Sequence, residues 1–227
     1  MFTSLLILGV DYLYEKNKQN LDEKNQKRLK QQFNITTWPN KKLNFWGITK
    51  CANTTIKYAL LDNIDIKSNI THPNNHIHDP SNVRYISKEE ALQNGFINFT
   101  ITRNPYNRCV SLYKDFILKR NDIKLKGVKI NRESIKSFDE FVKIMLLNKS
   151  VQKEIHFRTQ TSFISNNSNI CVDRIFDIYD TKNIEDFIGL SLSTLNKSPG
   201  DVALNKENKK IIYNIYRDDF KNLGYQK

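Results

Sequence analysis

The chain has 227 residues, with 36 Lys and Arg against 24 Asp and Glu, a formal net charge of +12. That length holds one α/β domain with an extension rather than a string of domains, and the surplus favours polyanionic partners. Three cysteines, Cys51, Cys109 and Cys171, form no recognisable framework, which excludes a disulfide scaffold and fits a reducing compartment better.

In chain order, Leu5 to Val10 is apolar but ends at Asp11. That is well short of the roughly 20 residues of a spanning helix. It also lacks the basic start and small cleavage residues of a signal peptide. The segment reads as an element packed on the domain, and residues 15–32 as an exposed helix or stem-like linker. Residues 1–40 are therefore expected to be an N-terminal extension, and 41–227 the main domain.

Leu43 to Ile48 is a short, mostly apolar strand, followed directly by Lys50. Asn53 is expected to cap a helix that starts with Thr54 and Thr55 and buries Ile56, Ala59 and Leu60. In that geometry the amides after Lys50 can cradle a phosphate, with the ammonium and two hydroxyls closing around it. The GxxxxGK[ST] pattern of nucleotide-binding loops is absent. The plainer alternative is an ordinary strand-turn-helix with a solvent-facing lysine.

Residues 71–79 then gather His72, His76 and His78 in a polar, asparagine-rich stretch. His76-Ile77-His78 invites a metal reading, but two ligands without a third are weak evidence for one. The next strand is residues 96–102. Asn104 is its helix cap and Pro105 the first helical residue, with Tyr106, Cys109, Val110, Tyr113 and Phe116 on one apolar face. Arg103 thus stands at the carboxyl end of a strand, where open α/β sheets bind ligands. With Ser111 it suits a terminal phosphate. Arg108 either joins them or braces the helix. Residues 120–136 are a basic loop between helices. Helices are expected over 54–62, 105–119, 137–148, 182–188 and 206–221.

Together, Lys50 to Thr55 and the run RNPYNRCVS from Arg103 to Ser111 resemble the sulfotransferases that use 3′-phosphoadenosine 5′-phosphosulfate (PAPS). The match is closest to their carbohydrate and heparan-type, membrane-associated branch. Downstream, Ser137 to Val142, the His156-x-x-x-Gln160 segment, Asp173 to Tyr179, Leu195 to Ser198 and Tyr216 to Phe220 also resemble family segments. Asn104 stands where the family usually has aspartate, and Asp180-Thr181-Lys182 where it usually has a glutamate.

The resemblance implies a P-loop NTPase-like α/β fold, with a central, mainly parallel sheet flanked by helices. It implies that Lys50, Cys51, Ala52, Asn53, Thr54 and Thr55 form the 5′-phosphosulfate loop. Arg103 and Ser111 would hold the 3′-phosphate, and Lys50 would stabilise the leaving oxygen. His78, then His76, would be the general base, with His156 as the fallback. Sulfuryl transfer is in-line displacement that fixed cations can support, so no metal is required. The expected partners are PAPS and a hydroxyl acceptor, with a glycan favoured and nucleic acid disfavoured. Without an evident anchor, the cytoplasm is favoured over the Golgi lumen; membrane association and oligomeric state stay open. Two rival readings are a non-catalytic basic module that binds a polyanion and a nucleotide kinase on the same fold.

Overall fold

A computed structural model describes residues 24–30, 32–61, 83–120, 125, 130–167, 169–192 and 202–227. The sheet is built from short runs rich in β-branched and aromatic residues, which suit a pleated, buried surface. These are β1 (Ile35–Trp38), β2 (Leu43–Trp46), β3 (Arg84–Ile86), β4 (Ile97–Thr102) and β7 (Arg174–Asp177), in the order β3-β1-β2-β4-β7. A separate small hairpin is made by β5 (Ser165–Asn166) and β6 (Asn169–Ile170).

The central strands are parallel, β2 with β4 and β4 with β7. Strand β1 runs antiparallel to both β2 and β3, so one side of the sheet is antiparallel. A turn over Pro39–Lys41 joins β1 to β2 and closes with Lys42 in the left-handed region, φ 52°. Sheet pairing thus draws residues 35–38 into the same layer as the main domain. Helix α1 (24–30) also meets it, burying Leu29 and bonding Gln26 to the Tyr85 backbone. The structured domain therefore reaches back past residue 41, because β2 and β3 need β1 between them.

Buried strands leave little room for unpaired polar groups, and the side chains between β2 and β4 satisfy one another, whereas Thr37 Oγ1 on β1 has no partner. Asn98 Oδ1 accepts from Trp46 Nε1 at 2.8 Å and from Asn44 Nδ2 at 3.2 Å. Thr100 donates to the Trp46 carbonyl at 2.7 Å. The amide and hydroxyl side chains stitch β2 to β4 where apolar side chains would only pack.

Helices cover both faces. Helix α2 (Asn53–Leu60) and α8 (Thr181–Ile188) close one core around Phe45, Phe99 and Ile101. Helix α3 (Lys88–Gln93) and α7 (Gln160–Ile164) close the other around Ile35, Trp46 and Ile48. A third, mostly helical core gathers Leu112, Phe116, Phe141, Ile212 and Tyr216, with Phe157 added from a loop. It is built by α4 (Pro105–Tyr113), α5 (Phe138–Phe141), α6 (Lys149–Gln152), α9 (Lys206–Ile215) and α10 (Arg217–Asn222). Wider π turns prolong α4 over Lys114–Lys119 and α5 over Val142–Leu146. The sequence expects one helix over 206–221; the structure breaks it at Tyr216 into α9 and α10. Ser137 and Glu140 form a reciprocal capping box at the start of α5.

Candidate functional site

The loop between β2 and α2 is wound tightly. Lys50 and Ala52 both take left-handed backbone angles, φ 67° and 53°. Non-glycine residues pay for such angles, and they recur at functional turns. The sequence puts the helix cap at Asn53; the structure corrects this to Ala52, with no side-chain cap bond. The first helical bond runs from Ile56 N–H to the Ala52 carbonyl at 2.9 Å. Asn53, Thr54 and Thr55 therefore supply the leading amides, which by helix geometry have no acceptor inside the helix. Alternating left-handed residues before a helix N-terminus make a concave, amide-lined anion site.

Two features fix this loop from below. Asn53 Oδ1 is buried without a hydrogen-bond partner, and it lies where a Cβ on Gly47 would fall. Asn34 presses on the same point from the other side and donates to the Gly47 carbonyl. Cys51 is fully buried and donates to Gln160 Oε1 at 3.1 Å. Burial pushes its thiol up to about 12, against the pull of Arg108 and Arg103. Its side chain is thus an anchor, and only its backbone faces the turn.

Arg103 follows β4 as expected. Asn104 Oδ1 accepts from the Tyr106 N–H at 2.9 Å, and Pro105 opens the helix. The Gln160 amide grips the Arg103 backbone twice, accepting from its N–H at 2.9 Å and donating to its carbonyl at 2.7 Å. The guanidinium Nη1 lies 3.5 Å from the Lys50 carbonyl, and Nε is buried without a partner. So the two phosphate-type segments converge, and one arginine nitrogen there is left unsatisfied. Ser111 is buried on α4, two turns after Pro105.

Arg108 resolves to bracing. It is 1 % exposed and donates to the carbonyls of Thr49 (3.1 Å), His156 (3.0 Å) and Arg158 (2.8 Å), and to Thr49 Oγ1 (3.3 Å). Gln160 is held in turn by Asp219, whose carboxylate accepts from the N–H groups of Gln160 and Thr161, each at 2.8 Å. The downstream segments His156 to Gln160 and Tyr216 to Phe220 thus buttress the two loops.

Two acidic residues stand at the site without having been singled out from the sequence. Asp115 sits 3.1 Å from Lys50 Nζ and 2.7 Å from Arg120 Nη2. Burial lowers the Lys50 pKa, Asp115 works to raise it, and the charges of Arg120 and Arg103 add to the lowering. For Asp115, burial raises the pKa, but Lys50 and Arg120 outweigh it and hold the carboxylate below its ordinary value. The opposing tendencies of this pair reflect two cations around one anion. Asp115 follows Ser111 by four residues, so helical spacing alone could have found it on that face. Glu154 is the second. It accepts from the His156 N–H at 2.7 Å and lies 2.9 Å from His156 Nδ1. His72, His76 and His78 lie outside the described residues.

A model described as the sulfotransferase family matches residues 31–183. The chain belongs to the sulfotransferase family. The matched span takes in β1, the Lys50 loop, Arg103 to Ser111, Asp115 and the His156 to Gln160 segment. Sulfotransferases perform sulfuryl transfer, and the α/β frame seen here, with its parallel central strands, is consistent with that fold. No curated protein and no solved structure matches the chain. Among the described residues no cluster of three His, Cys, Asp or Glu could hold a metal ion. Among those residues, too, no helix is long and apolar enough to cross a membrane.

Proposed function

We propose that the protein moves a sulfuryl group from PAPS to a hydroxyl, with a carbohydrate as the acceptor. Lys50 meets the bridging oxygen as negative charge develops there, and the amides of the loop, with Thr54 and Thr55, hold the 5′-phosphate. Arg103 and Ser111 hold the 3′-phosphate. The sulfur–oxygen bond to the 5′-phosphate breaks as the acceptor oxygen bonds to sulfur, leaving adenosine 3′,5′-bisphosphate (PAP). A histidine takes the acceptor's proton; His78 and His76 are the candidates named from the sequence.

One observation carries this reading. The Arg103 guanidinium reaches the Lys50 carbonyl and keeps a buried Nε without a partner, beside a helix N-terminus shaped for an anion. A buried, unsatisfied arginine nitrogen is costly unless an anion completes it. The net charge of +12 supports an anionic glycan as acceptor. The same charge favours, as a second reading, a module that binds polyanions without catalysis. Calorimetric titration without Mg²⁺ separates them. PAP should bind at least about tenfold more tightly than 5′-AMP, about 1.4 kcal/mol, and Arg103→Ala should erase that preference. Equal, salt-sensitive binding of both nucleotides would favour the polyanion module.

A further inference from the structure

Three contacts set the loop of residues 154–158 against the Lys50 turn. Thr49 Oγ1 donates to the Ile155 carbonyl at 3.2 Å. Lys50 pairs with Asp115 at 3.1 Å. The Phe116 ring meets the His156 ring edge-on, with centroids 5.3 Å apart. Residues 49–50, 115–116 and 155–156 are therefore locked side by side, two by two. Arg108 tightens the lock by bonding both Thr49 and His156 main-chain oxygens. The His156 main chain is thus held beside the Lys50 turn, with its ring against Phe116.

The ring is also oriented. Glu154 takes Nδ1 at 2.9 Å, which leaves Nε2 as the ring nitrogen outside that pair. The His156 side chain is 29 % exposed. A carboxylate on Nδ1 selects the tautomer whose Nε2 accepts a proton, and it stabilises the imidazolium that forms. We infer that His156, positioned by Glu154, is the base that takes the proton from the acceptor hydroxyl.

This inference rests on the sulfuryl-transfer reading and moves the base from His78 or His76 to His156. In the step, the acceptor oxygen bonds to sulfur and its proton goes to His156 Nε2. The sulfur–oxygen bond to the 5′-phosphate breaks, its electron pair leaves with PAP, and nothing is oxidised or reduced. The charged groups on the elements packed against this loop are Glu154 and Arg158 on the loop itself, Lys50 on the turn, Arg108 on α4, and Asp115 on the π turn with Arg120 just after it. Arg120 lies over the opposite ring partner, 4.3 Å from the Phe116 centroid. Burial raises the Glu154 pKa, but its bond to His156 and the charges of His156 and Arg158 lower it further, so it stays ionised.

The test follows the histidine ring resonances by NMR in the full chain, with and without saturating PAP, His156→Gln assigning the signals. Neutral His156 should carry its proton on Nδ1, facing Glu154. Saturation with PAP should shift the His156 ring resonances, because phosphate charge arrives beside the ring. Glu154→Gln should erase the tautomer preference and leave PAP affinity within about threefold. With PAPS and unsulfated glycosaminoglycan chains, His156→Ala should slow PAP release by about 10²–10⁴-fold at nearly unchanged PAP affinity. Tight PAP binding that leaves the His156 ring resonances unmoved would overturn the inference and spare the sulfotransferase reading. So would full turnover in His156→Ala, which would return the base to His76 or His78. No preference for PAP over 5′-AMP would sink both. Should the wild type turn over none of these chains, the response of the His156 resonances to PAP decides alone.

Discussion

Arg108 and Lys57 show how differently two buried cations are accommodated. Arg108 spends its fork on four acceptors from two loops, which a single ammonium cannot reach together. Arg108→Lys should therefore leave carbonyls unpaired and cost about 2–4 kcal/mol, read as a lower urea midpoint at unchanged slope. Among the described residues Lys57 has no carboxylate beside it; Asn34 Oδ1 lies at 2.9 Å and the Tyr85 hydroxyl at 3.3 Å. Burial, then the charge of Lys30, hold its pKa well below the ordinary lysine value. Between that lowered value and the ordinary one, the unfolded chain binds a proton that the folded chain does not. Stability should therefore rise with pH across that window, by up to about 1.4 kcal/mol per unit. Urea unfolding at a series of pH values should show this slope, and Lys57→Met should flatten it.

The turn between β2 and α2 depends on a missing side chain. A Cβ at Gly47 would strike Asn53 Oδ1 and crowd Asn34 Nδ2 and the Asn34 carbonyl. Gly47→Ala should destabilise the fold by about 1–3 kcal/mol and weaken PAP binding, checked by thermal unfolding and calorimetry on one sample. That constraint is readable only in three dimensions, because Asn34 lies across the β1–β2 hairpin. What was legible in the sequence was local. Leu43 to Trp46 and Ile97 to Thr102 declare themselves by β-rich composition, and Asn104-Pro105 by cap chemistry. Ser137 with Glu140 announces a helix start in the same way. The cap at Ala52 was not legible, since a left-handed alanine has no propensity signal and Asn53 is the better capping residue. Nor were the partners of Lys50 and His156: Asp115 is 65 residues from Lys50, and Glu154 looks like any surface acid.

At the scale of the molecule, the sheet decides where the domain begins. Ile35 is fully buried and Trp38 nearly so, and β1 is the only bridge between β2 and β3 among the described strands. A chain starting at residue 41 should lose cooperative unfolding and aggregate through the bared edges of those strands, whereas one starting at residue 24 should fold. Circular dichroism melts and size-exclusion chromatography of the two would decide it.

Three of the four bonds made by Arg108 end on main-chain carbonyls. A clamp of that kind is blind to the side chains of the strip it grips. On the sulfuryl-transfer reading, side chains along this strip could then vary to suit another acceptor while the bonds from Arg108 to its main chain persist.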